Sequence, residues 1–171
     1  KGTTVQASNI RVSDISADHL QALQTFAPEI SISRTNAEII KDADIIILAV
    51  KPWLVETVAK EIEHKIDYKK QIIVSIAAGV DFEKLSELFD TEASIFRVIP
   101  NTAIDILESV TTIAAQKATK EQQDLVLTLF AEMGKAFLVP ESQLNAFMSL
   151  SSCGIAYAFR YIRAAMEGGV E

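Results

Sequence analysis

The chain has 171 residues, a formal net charge of -7 at pH 7, 49% hydrophobic residues and 23% charged residues. This apolar fraction is ample for a packed core and excludes wholesale disorder. The acidic balance argues against nucleic-acid binding, which needs a basic face, and no apolar stretch approaches the roughly 18 residues of a membrane span. A single cysteine, Cys153, allows no internal disulfide, which predicts a cytoplasmic protein.

The first third of the chain alternates strand-like and helix-like segments. Residues 9–13 and 30–33 predict two short strands with a capped helix between them. Thr35 followed by Glu38 has the spacing of a capping box and predicts a short helix after the second strand. Residues 44–50 predict the clearest strand, and because it is apolar on both faces we expect it at the centre of a parallel sheet.

The same alternation continues through the middle of the chain. Pro52 suits the first position of a helix, and further helices are expected to begin near Asp81 and Thr119. Gly134 is well placed to end the helix that follows Thr119. The strands predicted here are residues 71–76, 94–99, 110–115 and 135–139.

After Pro140 the strand pattern stops, and residues 142–150 and 154–168 predict two helices. The alternation before that point predicts an α/β fold, a Rossmann-like, mostly parallel sheet flanked by helices. We therefore expect a dinucleotide-binding domain over residues 1–140, and the beginning of a helical domain over residues 141–171.

The last helix is apolar over a wide arc, including Ile155, Phe159, Ile162 and Met166. Such a face needs to be covered. It could pack back onto the sheet, or it could belong to a larger helical domain or meet a partner subunit. We favour a larger helical domain or a partner subunit over packing onto the sheet.

Candidate chemistry lies where the predicted strands end. In an open parallel sheet, ligands bind beyond the carboxyl ends of the strands, and small residues there let a flat ligand approach the backbone. Taken singly, Lys51 could be a surface lysine and the Ala77 to Gly79 stretch a plain tight turn, but four stretches at one edge favour a binding site. They are Ser13-Asp14, Ala49-Val50-Lys51-Pro52, Ala77-Ala78-Gly79 and Pro100-Asn101-Thr102.

The G-x-G-x-x-G fingerprint of dinucleotide sites does not occur in the chain. If the chain binds a dinucleotide, we therefore expect the first strand and its glycine loop to lie upstream of Lys1. Residues 9–13 are then the second strand. Asp14 at its end would favour the unphosphorylated ribose of NAD, whereas Arg34 could help to hold the phosphate of NADP. Asp14 could equally be a turn residue. No metal-ligand spacing is present, so no metal is expected.

Five motifs occur in order along nearly the whole chain. They are Asn36, Ala49-Val50-Lys51-Pro52, Ala77-Ala78-Gly79-Val80, Arg97-Val98-Ile99-Pro100-Asn101-Thr102 and Ser151-Ser152-Cys153-Gly154-Ile155-Ala156-Tyr157. In this combination and register the chain resembles the pyrroline-5-carboxylate reductase family.

The resemblance implies hydride transfer from NADPH or NADH to the imine carbon of pyrroline-5-carboxylate, which forms proline. It implies an all-α dimerisation domain that begins after residue 140, and a homodimer or higher homo-oligomer. The substrate-proximal candidates are Ser151, Ser152, Cys153 and Gly154, with no catalytic residue assigned. The implied cofactor-binding residues are Ser13, Asp14, Asn36, Ala49, Val50, Lys51, Pro52, Ala77, Ala78, Gly79 and Asn101.

The chain departs from the family's S-G-S-G-P-A-Y motif, because Ser152 replaces a glycine and Ile155 replaces the proline. Both changes add bulk or remove conformational options near the substrate. We also expect most of the family's helical region to follow Glu171. Two alternatives stay open: a related dehydrogenase with another small substrate, such as a hydroxy acid or a deazaflavin, and a non-catalytic dinucleotide-binding or dimerising relative.

Overall fold

A two-stranded parallel sheet forms the first part of the computed structural model, which describes residues 3–170. Lys1, Gly2 and Glu171, with which the predicted domains begin and end, lie outside the described residues. The first elements are β1 (Arg11–Ser13), α1 (Ala17–Phe26), β2 (Ser31–Ser33) and α2 (Asn36–Ile39). Strands β1 and β2 pair with each other, and the Ser16 hydroxyl caps α1 by accepting a backbone N–H of its first turn.

A five-stranded sheet follows. Its strands and helices are β3 (Ile45–Leu48), α3 (Val55–Ile62), β4 (Ile72–Ser75), α4 (Phe82–Leu88), β5 (Ser94–Ile99), β6 (Ser109–Gln116), α5 (Lys120–Ala131) and β7 (Gly134–Leu138). The five strands lie side by side in chain order, and every neighbouring pair is parallel except β5 and β6. The predicted mostly parallel α/β sheet is confirmed.

Helices cover both faces of this sheet. On one face, α3, α4 and α6 (Glu141–Phe147) pack on a core that includes Ile73, Leu85 and Leu144. On the other face, α5 places Val126 and Phe130 against strand residues including Phe96 and Ile113. Each fully buried side chain of this kind contributes about 1.5–3 kcal/mol to folding.

The expected central position of β3 was wrong for the part of the chain that the structure describes. Here β3 is an edge strand that pairs only with β4, and the Ile47 side chain is 46% exposed. The apolar pattern of a strand reports what packs above and below it, and it carries no information about strands at its sides. On the face of Ile47, moreover, α5 packs against β6 and β7, at the opposite end of the sheet.

Two local predictions were also wrong. The Thr35 hydroxyl makes no cap hydrogen bond. The Glu38 carboxylate accepts a 2.6 Å hydrogen bond from the Ser33 hydroxyl, and the Thr35 N–H, which a capping box would pair with Glu38, donates to the Ser33 hydroxyl oxygen at 3.0 Å. Gly134 does not end α5, which ends at Ala131; it begins β7 with φ of 139°. A glycine at this position suits a close strand contact as well as it suits a helix terminus.

The C-terminal part of the structure is helical throughout. A five-residue π-helical turn, Met148–Ser152, joins α6 to α7 (Cys153–Gly168). Leu144 of α6 is fully buried, whereas no residue of α7 is buried and Tyr161 is 77% exposed. The last helix therefore does not pack back onto the sheet. The domain boundary near residue 140 stays a prediction.

Across residues 3–170, the structure contains no helix with the length and hydropathy that crossing a membrane requires.

Candidate functional site

The carboxyl ends of β3, β4 and β5 lie at one edge of the sheet, because these three strands are parallel neighbours. The predicted stretches after them therefore share that edge. Ala49, Lys51 and Ala78 are exposed there, while Val50 and Ala77 turn towards the core. Small exposed side chains at the ends of adjacent strands leave the backbone accessible, so the edge fits a flat ligand such as a dinucleotide.

Gly79 shapes the turn after β4. Its φ of 81° lies in the left-handed region that side chains disfavour, whereas a Cβ placed on it would meet open space. The glycine is therefore required by the backbone conformation, and the space beside the turn is open to a ligand.

The turn after β5 is fixed by Asn101, which is 9% exposed. Its side-chain oxygen accepts a hydrogen bond from the Ala103 N–H at 3.1 Å, and its backbone N–H donates to the Ser109 hydroxyl at 3.2 Å. Its side-chain nitrogen donates to the carbonyl oxygen of Ser151 at 2.9 Å. Asn101 thus joins the strand-end edge to the π-helical turn, 50 residues along the chain.

The predicted substrate-proximal residues lie in and after that π-helical turn. The Ser151 hydroxyl donates to the Phe147 carbonyl at 2.8 Å, Ser152 and Gly154 are half-buried, and Cys153 is exposed. Short π-helical segments inside helices occur often at functional sites. The contact between Ser151 and Asn101 places two of the predicted site segments together.

The predicted adenosine-binding residues meet at the carboxyl end of β1. The Ser13 hydroxyl donates to the side-chain oxygen of Asn36 at 2.6 Å, and the Asn36 amide donates to Glu61 at 2.8 Å. Asp14 accepts the Ser16 N–H at 2.7 Å, and its other oxygen lies 3.4 Å from Nδ1 of His19. The hydrogen bond from the Ser16 N–H, aided by His19, lowers the pKa of the Asp14 carboxyl.

One ion pair at this edge was missed by the sequence analysis. The Arg97 guanidinium, with a side chain only 8% exposed, lies 2.7 Å from Oε1 of Glu141. The same oxygen accepts the Phe82 N–H at 2.7 Å, so one carboxylate ties β5 to the starts of α4 and α6. The available signal was Arg97 itself, because a charged residue inside a buried apolar strand needs a partner.

Among residues 3–170, no three His, Cys, Asp or Glu side chains are arranged to hold a metal ion. A groove at the amino-terminal ends of β3 and β4 is lined by Lys41, Asp44 and Lys70, among other residues. It lies at the opposite edge of the sheet from the predicted site. The groove is therefore separate from the residues of the candidate site.

Residues 2–79 match the family model described as NADP oxidoreductase, coenzyme F420-dependent. The chain is 36% identical over 171 residues to pyrroline-5-carboxylate reductase from Methanosarcina acetivorans, covering 99% of this chain and 63% of that protein.

Solved structures show the same likeness. A pyrroline-5-carboxylate reductase from Coxiella burnetii superposes with a TM-score of 0.88 at 26% identity, covering 94% of this chain and 60% of that one. The pyrroline carboxylate reductase of Plasmodium falciparum, solved with NADP bound, has the same fold, with a TM-score of 0.85 at 23% identity over 96% of this chain and 60% of that one. The chain thus spans about 60% of the length of the proteins that it matches.

Proposed function

We propose that the chain, which resembles pyrroline-5-carboxylate reductases, is part of a protein that reduces pyrroline-5-carboxylate to proline with NADH or NADPH, the last step of proline biosynthesis. The observation that carries the proposal is the hydrogen bond from Asn101 to Ser151. This hydrogen bond joins the turn after β5, at the strand ends that we propose bind the dinucleotide, to the π-helical turn that we propose binds the imine.

The side chains divide the cofactor between them in this proposal. Ser13, Asp14 and Asn36 bind the adenosine half at the end of β1. Val50, Lys51 and Pro52 line the path towards the nicotinamide, and the turn of Ala77, Ala78 and Gly79 approaches the nicotinamide ribose. Asn101 faces the nicotinamide end, although its side-chain groups already have protein partners. Its proposed role is therefore to hold the turn after β5 against the π-helical turn.

The residues proposed beside the substrate, Ser151 to Gly154, orient the imine and exclude water rather than attack it. The bound dinucleotide supplies the hydride. The imine carbon accepts it, and the C=N electron pair moves to a nitrogen that already carries its proton. A buried basic side chain beside this cation would oppose its charge, so a serine-rich turn suits the reaction. Orientation in a dry pocket is the main contribution asked of the protein.

We further propose that the protein is a cytoplasmic homodimer or higher homo-oligomer in which a second copy covers α7. The exposed side chains Tyr157, Phe159 and Met166 support this assembly, because large apolar faces on helices mark interaction surfaces. In sedimentation velocity the protein should sediment as a species larger than a monomer, and Tyr161→Glu should dissociate this oligomer. A monomeric parent protein would refute the assembly.

The direct test is pyrroline-5-carboxylate-dependent oxidation of NADH and NADPH by the purified full-length protein, with its intact mass recorded. Lys51→Ala should weaken cofactor binding. The matched control is Lys120→Ala, which removes the same charge on α5 and should leave binding unchanged. Lack of turnover by an intact protein that still binds cofactor would overturn the proposed substrate.

A further inference from the structure

We infer that the adenosine end of the site selects the unphosphorylated ribose of NADH over the phosphorylated ribose of NADPH, and that Asp14 is the residue that decides this selection. The inference rests on the proposed function, because it takes the carboxyl end of β1 as the ribose-binding edge. It goes further by choosing between two cofactors that differ only in a 2′-phosphate.

Asp14 is built into the loop after β1 as a fixed, ionised carboxylate. The 2.7 Å hydrogen bond from the Ser16 N–H orients one oxygen, and that donor favours the charged form. The side chain is still 38% exposed, so the carboxylate can accept from ribose hydroxyls. A carboxylate at the end of the second strand of a dinucleotide fold favours an unphosphorylated ribose.

The surrounding charges point the same way. Glu38 lies beside the Ser33 hydroxyl at 2.6 Å, and Glu61 lies beside the Asn36 amide at 2.8 Å. Three carboxylates therefore border the region between β1, β2 and α3. A 2′-phosphate would add about two negative charges to them, and like charges at such a site repel.

The guanidinium of Arg34 does not offset this charge. Arg34 donates from Nη2 to the carbonyl oxygen of Ile15 at 3.1 Å, and so it spans the loop after β1. An arginine recognises phosphate best with a two-pronged fork. Arg34 would have to leave the Ile15 carbonyl to present that fork. His19 is 3.4 Å from Asp14 and is held on its carboxylate.

The test compares the dissociation constants of NADH and NADPH for the full-length protein by isothermal titration calorimetry. The wild type should bind NADH at least about tenfold more tightly than NADPH. Asp14→Asn keeps an oxygen for the Ser16 N–H but removes the charge. It should lower the ratio of the NADPH dissociation constant to the NADH dissociation constant, chiefly because NADPH binds more tightly. Asp124→Asn makes the same charge change on α5 and should leave the ratio unaltered.

Arg34→Ala separates the two interpretations of this edge. It should change the affinities for NADH and NADPH equally if the guanidinium serves the loop. A selective loss of NADPH affinity, or a wild type that prefers NADPH, would overturn the inference and leave the reductase proposal intact. An unchanged ratio in Asp14→Asn would also overturn it. Binding of neither nucleotide would refute the proposed function, and the inference with it.

Discussion

Glu141→Ala should destabilise the protein by about 3 kcal/mol, because it leaves the Arg97 guanidinium buried without its carboxylate. The wild-type ion pair is 2.7 Å long, and the Arg97 side chain is only 8% exposed, so water cannot readily replace the lost partner. The substitution also removes the acceptor of the Phe82 N–H at the start of α4.

The magnitude follows from burial. Removing one partner of a buried ion pair costs about 3–5 kcal/mol, and the Glu141 side chain is 33% exposed, which places the cost at the lower end. In a protein of this size each kcal/mol lowers the Tm by about 2–4 °C, so the expected fall is about 6–12 °C.

Urea and thermal unfolding measure the loss, and two further variants test its cause. Asp124→Ala breaks a 2.6 Å pair with Lys120 on α5 whose side chains are 55% and 71% exposed, and it should cost at most about 0.5 kcal/mol. Arg97→Met combined with Glu141→Ala should recover much of the loss, because no uncompensated charge remains. Equal effects of Glu141→Ala and Asp124→Ala, or simple additivity in the double variant, would refute this reasoning.

Three other variants test local features. Gly134→Ala would place a Cβ 2.1 Å from a backbone oxygen of β6 and should cost at least about 2 kcal/mol in urea unfolding, whereas Gly168→Ala, in open space on α7, should cost nothing. Thr112→Val should leave the unfolding free energy unchanged or raise it by about 1 kcal/mol, because its buried hydroxyl has no hydrogen-bond partner within the described residues; a clear loss would show a hidden partner. Hydrogen bonds from the Thr3 hydroxyl and N–H lower the pKa of Glu132 to about 2, so its stabilising effect should be present above about pH 4.5 and fade towards pH 2. The Tm difference between the wild type and Glu132→Gln should follow that curve, and a difference independent of pH would contradict it.

Local periodicity was enough to predict the succession of strands along the chain and a mostly parallel sheet. Each strand of the larger sheet carries its own apolar signal, and that signal survives without knowledge of its neighbours. The edge position of β3 could not be predicted from periodicity, because the side-chain pattern of a strand does not depend on whether another strand is hydrogen-bonded beside it. The misassigned capping box has a similar cause: Glu38 had two acceptable donors, and the Ser33 hydroxyl competed for it.

The strand pattern alone predicted the candidate site only where it consists of strand-end turns, whereas Asn36 and Ser151 to Gly154 were named from the family resemblance. Rules about the carboxyl edge of a parallel sheet select Gly79 and Asn101 from their places after β4 and β5. They say nothing about which distant segment each residue contacts. The bond from Asn101 to Ser151 and the pair of Arg97 with Glu141 cross 50 and 44 residues, and such pairings are decided by packing of the whole domain.

The separation of the β1–β2 sheet from the five-stranded sheet has a consequence for hydrogen exchange. Between residues 11 and 33 only Leu20 and Ile30 are buried apolar side chains, whereas β4 and β5 are buried along their whole length. Local opening is cheapest where little apolar surface is lost. In this chain the amides of β1 and β2 should therefore exchange through local unfolding, while those of β4 and β5 wait for global unfolding. The nucleotide binding that we propose at the end of β1 would then be detected first as slower exchange of the β1 and β2 amides.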